Sequence, residues 1–279
     1  MPPPTVAFMA TLPNPLPKLA ADPSGRSLGL ELPPGTLVDA TIDGPWHEPL
    51  LWYAGSPARP GDWQRLAGAR RTAGLHPLLL ARGSDHEGGP EEWELGPGRT
   101  SYAGDHDAED VLADFWEGYA DRLPGDVLAP FGAEWPGLAE AGPLDADPDA
   151  RAAEIADSLL DGRPGLWEPR TALVPARRSA DIPAAIGWSG PLNHENDVAR
   201  LCAVLRSWED RFGIRVVALT FGRLVVSVAA PPATAAEAEA VAAEHFAFCP
   251  DAVDAAAGGL RAYAEQGVLG QRSWSFWWD

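Results

Sequence analysis

The stretch that decides the fold runs from residue 214 to residue 230 and reads IRVVALTFGRLVVSVAA. Two β-branched, apolar runs, residues 214–221 and 224–230, are joined through Gly222 and Arg223, which is typical of two strands in a tight hairpin. Both runs are apolar on both faces, as in strands that other elements cover from two sides. The sequence therefore predicts a hairpin in the middle of a covered sheet.

The segment before the hairpin predicts a long amphipathic helix that begins near Asn196 and ends at Gly213. Its apolar residues recur at steps of three and four, so they lie on one helical face. After the hairpin, Thr234 and Glu237 are spaced as a capping box, which indicates a second helix to about residue 248. The apolar residues of the first helix are Val198, Leu201, Leu205, Trp208 and Phe212.

Two further strands and a short helix complete this part of the chain. Residues 171–176 (TALVPA) precede the first helix, a short helix is expected near residues 259–266, and residues 274–278 (WSFWW) come last. Alternation places Trp277 opposite the other aromatic residues of the last strand. If that strand is central, Trp277 is a core residue. If the strand lies at an edge of the sheet, Trp277 is an exposed anchor for binding. The element order predicts an α+β protein with a C-terminal β-α-β-β-α-β ferredoxin-like sandwich.

The preceding residues predict an N-terminal α+β region. Its strand candidates are residues 28–32, 36–42, 48–54 and 75–81, and its helices are residues 62–73 and 108–123. A further helix, residues 149–160, lies in a stretch rich in Pro, Gly and acidic residues. We therefore divide the chain into a Pro-rich flexible tail (1–25), an N-terminal α+β region (26–123), an acidic Pro/Gly-rich linker with a helix (124–170) and a C-terminal domain (171–279).

The negative charge of the protein is concentrated in one segment. The chain has 21 basic and 40 acidic residues, a net charge of -19, and residues 85–161 alone hold 21 acidic residues against three arginines. Such a field repels nucleic-acid phosphates and anionic membranes, so neither is an expected partner. The segment is either a solvated surface or a docking surface for a basic protein.

The two cysteines and the absence of a secretory pattern indicate the compartment. The first 25 residues lack the basic and apolar regions of a signal peptide, and no apolar stretch is long enough to cross a bilayer. With Cys202 and Cys249 as the only cysteines, a disulfide framework is not expected. We therefore expect a cytoplasmic protein.

Four separated motifs carry a resemblance to a known family. They are GWSGPLNHEND at residues 187–197, LRSWEDRFG at 205–213, AAEHFAFCPD at 242–251 and WSFWWD at 274–279. Together they resemble the bacterial domain-of-unknown-function family numbered 4253, over about residues 173–279. The resemblance implies a domain boundary and a set of positions, and no activity.

The densest polar cluster, Asn193–Asp197, lies where a glycine-containing turn leads into a helix. Asn and Asp cap helix N-termini because their side chains accept free backbone N–H groups, and capping alone explains Asn196 and Asp197. The alternative is the mouth of a pocket in which His194 or Glu195 acts as general acid or base. The spacing is not that of a zinc protease, because Val198 stands where the second histidine would be.

A second candidate pair is His245 and Cys249, four residues apart on the second helix. This spacing fits a Cys–His nucleophilic pair or half of a zinc site. It fits equally a core histidine beside a buried cysteine, because both residues lie on an apolar stripe. The sequence has no phosphate-binding loop or dinucleotide fingerprint, so no cofactor and no metal is predicted.

These observations predict a non-catalytic cytoplasmic binding or interaction protein, such as an immunity-type protein that neutralises a basic partner. The alternative is a small hydrolase or transferase that uses His194 and Glu195, with or without His245, in a pocket walled by Trp188 and Trp208. A third reading is a structural accessory domain. Whether the protein is an enzyme, and its oligomeric state, stay open. The candidate binding residues are Trp188, Asn193, His194, Glu195, Asn196, Asp197 and His245.

Overall fold

A computed structural model of the protein describes residues 13–83, 88–120, 128–160, 166–254 and 258–278. Within these ranges the strands are β1 (Gly35–Val38), β2 (Ala40–Thr41), β3 (Gly44–Pro45), β4 (Leu51–Ala54), β5 (Leu75–Arg82), β6 (Trp167–Pro175), β7 (Arg215–Leu219), β8 (Arg223–Ser227) and β9 (Ser273–Trp277). The helices are α1 (Lys18–Ala21), α2 (Asp62–Leu66), α3 (Ala69–Ala73), α4 (Ala108–Ala120), α5 (Pro148–Leu159), α6 (Ile182–Ile186), α7 (Val198–Phe212), α8 (Ala235–Phe248), α9 (Pro250–Asp254) and α10 (Gly259–Tyr263), followed by a π-helical turn, Ala264–Val268.

Seven strands form one mixed sheet in the order β1-β4-β6-β5-β7-β8-β9. All neighbours are antiparallel except β5 and β7, which are parallel. The predicted hairpin is confirmed as β7 and β8, with Val216 opposite Val226. The α+β class is therefore confirmed, and within the described residues no helix is both long and apolar enough to cross a membrane.

The ferredoxin-like arrangement of the C-terminal strands is not confirmed. Strand β5 comes from the N-terminal part of the chain and lies between β6 and β7. Its side chains are mostly buried on both faces, which suits a central position. Element order within residues 171–279 carries no information about a strand that is inserted from elsewhere. The division of the chain into four segments stays a prediction.

Helices cover both faces of the sheet. Helices α4, α6, α7 and α8 pack on one face and enclose an aromatic core, whereas α2 and α5 pack on the other. Helix α5, which lies in the predicted linker, buries Ile155 and Leu159 against the sheet residues Val217 and Val225. The largest fully buried aromatic residues are Trp116, Trp208, Trp274, Phe246, Phe248 and Phe276.

The N-terminal part of the structure bears on two predictions, the strand at residues 28–32 and the flexible tail. Residues 28–32 are not a strand, because the N–H groups of Leu30 and Leu32 donate to the nearby carbonyls of Gly25 and Ser24. Local turn bonding replaces strand pairing in this stretch. The first twelve residues of the predicted tail lie outside the described residues. From Pro13 on, Leu16 and Leu19 are buried in a small cluster with strands β4 and β6.

Candidate functional site

Asp197 caps helix α7, as the capping interpretation predicted. Its Oδ1 accepts hydrogen bonds from the N–H groups of Ala199 and Ser101, each at 3.1 Å. Burial alone would raise the pKa of Asp197, but the hydrogen bonds from Ser101 and Ala199 and the nearby His106 lower it below its usual value. The carboxylate therefore ties the loop at residue 101 to the start of α7. The neighbouring Asn193 and Asn196 are exposed.

His194 packs against helix α4. Its Nδ1 lies 3.0 Å from the Tyr119 hydroxyl, and its ring stacks on Tyr119 and contacts Phe115. Its Nε2 is buried and has no hydrogen-bond partner among the described residues. Burial lowers the pKa of His194 below its usual value, so the ring is neutral near pH 7. The imidazole thus joins the turn before α7 to helix α4.

Glu195 is held in an ion pair. Its two carboxylate oxygens accept from the Asp197 N–H at 2.8 Å and from the Arg200 guanidinium at 2.7 Å. Arg200 also reaches Asp114 of α4 at 2.9 Å and lies over the Phe115 ring. A carboxylate with both oxygens engaged is poorly placed to act as a general base.

His245 and Cys249 are fully buried, as the core interpretation predicted. His245 Nδ1 lies 3.0 Å from the Tyr263 hydroxyl, and the ring is surrounded by Trp208, Trp274 and Phe276. Burial lowers the pKa of His245 to about 3. On a thiol burial has the opposite effect, and it raises the pKa of the other cysteine, Cys202. Neither thiol is placed as an accessible nucleophile.

The buried histidines predict a pH dependence of stability. His245 and His76 have pKa values lowered by burial to about 3 and about 4, so they stay neutral in the folded protein. Unfolded histidines bind protons below about pH 6.5, so the free energy of unfolding should fall as the pH drops from about 6.5 to about 4, by up to about 1.4 kcal/mol per pH unit for each residue. Urea unfolding between these pH values measures the slope.

The control for this prediction compares two histidines. His245→Phe should reduce the slope, whereas His47→Gln, at an exposed position, should leave it unchanged. Equal slopes for the wild type and His245→Phe would contradict the assignment.

Trp188 is a core residue. It is 2% exposed, its Nε1 donates to the Thr220 carbonyl at 2.9 Å, and its ring meets the edge of Trp278. Strand β9 lies at the end of the sheet, and Trp277 is half-buried on the face opposite Trp274. The structure therefore does not gather the seven candidate residues around one open cavity. Four cavities in the described part of the chain have none of the seven in their linings.

Helix α8 carries a buried carboxylate that the sequence analysis did not single out. Glu244 of α8 is fully buried and accepts four hydrogen bonds of 2.6–2.7 Å. Two come from the Arg211 guanidinium, one from Trp208 Nε1 and one from the Ala139 N–H. The sequence signal for this network is the position of Glu244 within the apolar run of α8, because a carboxylate buried there requires hydrogen-bond partners. The network fixes residue 139 against α7 and α8.

The acidic segment forms an exposed surface on α4 and the turn before it. Asp110, Asp114 and Glu117 follow each other at steps of four and three, so they form a stripe on one helical side. Of the whole surface, only Asp114 forms an ion pair with a described basic residue. We call this surface the α4 acidic face; it consists of the exposed residues Asp105, Asp107, Glu109, Asp110, Asp114 and Glu117.

The described part of the chain also contains a cleft of about 760 Å³. It lies between residues 46–50, residues 100–103 and the segment that joins β6 to α6. Arg206 of α7 is fixed there by Asp181, with Nε–Oδ1 and Nη2–Oδ2 distances of 2.5 and 3.0 Å, and lies over the Tyr102 ring. Across the described ranges, no group of three or more His, Cys, Asp or Glu side chains is placed to hold a metal ion.

Comparison with known proteins identifies the C-terminal part of the chain. Residues 170–279 match the model of a family described as a domain of unknown function, DUF4253, which confirms the resemblance inferred from the four motifs. The match begins within β6 and therefore leaves β5, although it is central in the sheet, outside the family model. No curated protein and no solved structure matches the chain.

Proposed function

We propose that the protein is a non-catalytic binding protein whose α4 acidic face recognises a basic segment of a protein partner. The observation that carries this proposal is the row of six exposed acidic side chains between residues 105 and 117. The sequence of this stretch contains no lysine or arginine. A surface of one sign raises the association rate of an oppositely charged partner.

The contacts behind the α4 acidic face support this role. Helix α4 buries Val111, Leu112, Phe115 and Trp116 against the core, so the acidic side chains stand on a rigid scaffold. Asp107 is engaged by the N–H groups of Glu109 and Asp110, which caps the helix. Because the helix backbone is already ordered, mainly the side chains lose conformational entropy on binding, which favours a specific complex.

An immunity-type protein, which neutralises a basic partner by covering it, is the concrete form of this proposal. The partner would present several lysine or arginine side chains, and the complex would weaken with salt, because the Debye length is about 8 Å at physiological ionic strength. The proposed site of action is the cytoplasm.

The test measures the affinity of the full chain for a fluorescent peptide rich in lysine and arginine. Replacing three acids, E109Q/D110N/E117Q, should weaken binding by about threefold to a hundredfold, because each exposed ion pair contributes about 0.2–1 kcal/mol. None of these three side chains forms an ion pair with a described basic residue, so folding should be retained. Fluorescence anisotropy at two salt concentrations provides the readout.

The matched control changes the net charge equally at another place. The variant E31Q/D39N/E265Q also removes three exposed acids, none of them on the α4 acidic face. If both triple variants weaken binding to the same extent, the peptide senses only net charge, and the proposed surface is wrong.

A further inference from the structure

A small cavity lies where the parallel strands β5 and β7 begin, beside the first turn of α5. Its volume is about 20 Å³, and its lining shares no residue with the α4 acidic face. A cavity needs about 10–15 Å³ to hold one water molecule, provided that polar groups surround it. The cavity therefore has room for one water molecule and is too small for an organic ligand.

His76 of β5 borders this cavity and carries a nitrogen that needs a partner. The residue is 3% exposed, and its Nε2 is buried without a hydrogen-bond partner among the described residues. Burial above all, and then the charges of Arg70 and Arg215, lower the pKa of His76 to about 4, while Asp149 and Asp181 act in the opposite direction. The imidazole is thus neutral near pH 7 and has one bare nitrogen, which can accept a hydrogen bond.

Ser179 contributes a hydroxyl group to the same cavity. It lies in the turn after β6 and is 2% exposed. Its Oγ accepts a hydrogen bond from the Val216 N–H at 2.8 Å. Because the oxygen accepts in this bond, the hydroxyl hydrogen is available to donate to a molecule in the cavity.

The charged groups around the cavity compensate one another. Asp149 Oδ1 accepts a hydrogen bond from Arg215 Nε at 2.7 Å, and its Oδ2 lies 3.1 Å from Arg70 Nη2. Arg215 also forms an ion pair with Glu209 at 3.3 Å. Two cations thus meet two carboxylates, which favours a neutral molecule over an inorganic anion. A carboxylate has about four lone-pair sites, so Asp149 can accept a further hydrogen bond.

We propose that this cavity binds one water molecule, which links β5, α5 and the turn after β6. The water accepts a hydrogen bond from the Ser179 hydroxyl and donates to His76 Nε2 and to the Asp149 carboxylate. About three hydrogen bonds are typical of a buried water. His76 precedes the family match at residues 170–279 and Ser179 lies within it, so the water connects the central strand β5 to the family domain.

A crystal structure of the full chain, grown in a buffer that contains bromide, tests this proposal. We expect one water peak within about 3.2 Å of both His76 Nε2 and Ser179 Oγ, without anomalous signal from bromide. An anomalous peak at this place would show that the site takes an anion. That result, or the absence of any peak, would overturn the proposal.

The state of the His76 ring provides a second test in solution. Because the water donates to Nε2, nitrogen-15 NMR of the ring near pH 7 should show the tautomer that carries its proton on Nδ1. A proton on Nε2 would contradict the assigned hydrogen bonds.

Variants locate the water. The peak should be lost in crystals of His76→Phe, which keeps a ring but removes the acceptor, and in crystals of Ser179→Ala, which removes the donor. The matched control His47→Gln, at an exposed histidine, should retain it. A thermal unfolding curve for each variant verifies that it is folded. An unchanged peak in both His76→Phe and Ser179→Ala would show that other groups hold the water, and the assignment would be wrong.

Discussion

Replacing Glu244 by alanine is expected to lower the free energy of unfolding by about 3–5 kcal/mol. The change removes four hydrogen bonds of 2.6–2.7 Å and leaves the Arg211 guanidinium, which is largely buried, without its carboxylate. It also leaves Trp208 Nε1 without an acceptor in the core. Urea unfolding at pH 7 measures the loss.

The control for Glu244 lies on the same helix. Glu239→Ala removes an ion pair with Arg261, whose side chain is 56% exposed, and should cost no more than about 1 kcal/mol. A similar loss in the two variants would contradict the buried network.

A double-mutant cycle separates the pair from its surroundings. Arg211→Leu alone should also be strongly destabilising, because it leaves the buried Glu244 carboxyl group without its cationic partner. The double variant E244L/R211L should lose less than the sum of the losses in E244L and R211L, because no unpaired charge then remains in the core. Additive losses would show that the two residues act independently.

Replacing Gly187 by alanine should lower the free energy of unfolding by about 2–5 kcal/mol. The alanine would have to adopt the left-handed conformation of Gly187, and its Cβ would overpack against a neighbouring segment. Gly187 has φ of 65°, and an added Cβ would lie 2.1 Å from Pro97 N and 2.2 Å from Gly96 C. Backbone atoms cannot rotate away as a side chain does. The Gly96 N–H, which donates to the Gly187 carbonyl at 2.7 Å, would be displaced.

Gly74 provides a matched control for Gly187. Its φ is 68°, and no atom lies within 4 Å of the added Cβ. Gly74→Ala should therefore cost only about 1–2 kcal/mol, the penalty of the left-handed conformation. The difference between the two variants measures the close approach of residues 96–97 to α6, and equal losses would contradict it. Hydrogen exchange of the Gly96 amide should accelerate only in Gly187→Ala.

Local patterns predicted most of the C-terminal elements. The steps of three and four in α7, the capping box of α8 and the β-branched runs of β7 and β8 each depend on neighbours within a few residues. The helix predicted at residues 62–73 is interrupted between α2 and α3, and it ends as expected at Gly74 with φ of 68°. The strand predicted at residues 28–32 is absent, because the N–H groups of Leu30 and Leu32 donate to the carbonyls of Gly25 and Ser24 in a local turn.

The candidate site was predicted less completely. Asp197 as a cap and His245 as a core residue follow from helix-end chemistry and from the apolar stripe of α8. The hydrogen-bond partner of His194, Tyr119, lies on α4, and the partners of Glu244 lie 33 to 105 residues away in sequence. Periodicity describes which residues share a face, and it does not describe which distant face lies opposite.

The sequence by itself determined the α+β class, the β7–β8 hairpin, the acidic segment and the family resemblance of the C-terminal part, because each depends on composition or on local spacing. Only the tertiary structure decided that β5 separates β6 from β7, that Glu244 is paired with Arg211 and that His76, Asp149 and Ser179 line one cavity. These are contacts between segments far apart in the chain. They are set by the best joint burial of apolar faces and pairing of charges, which no local window of sequence contains.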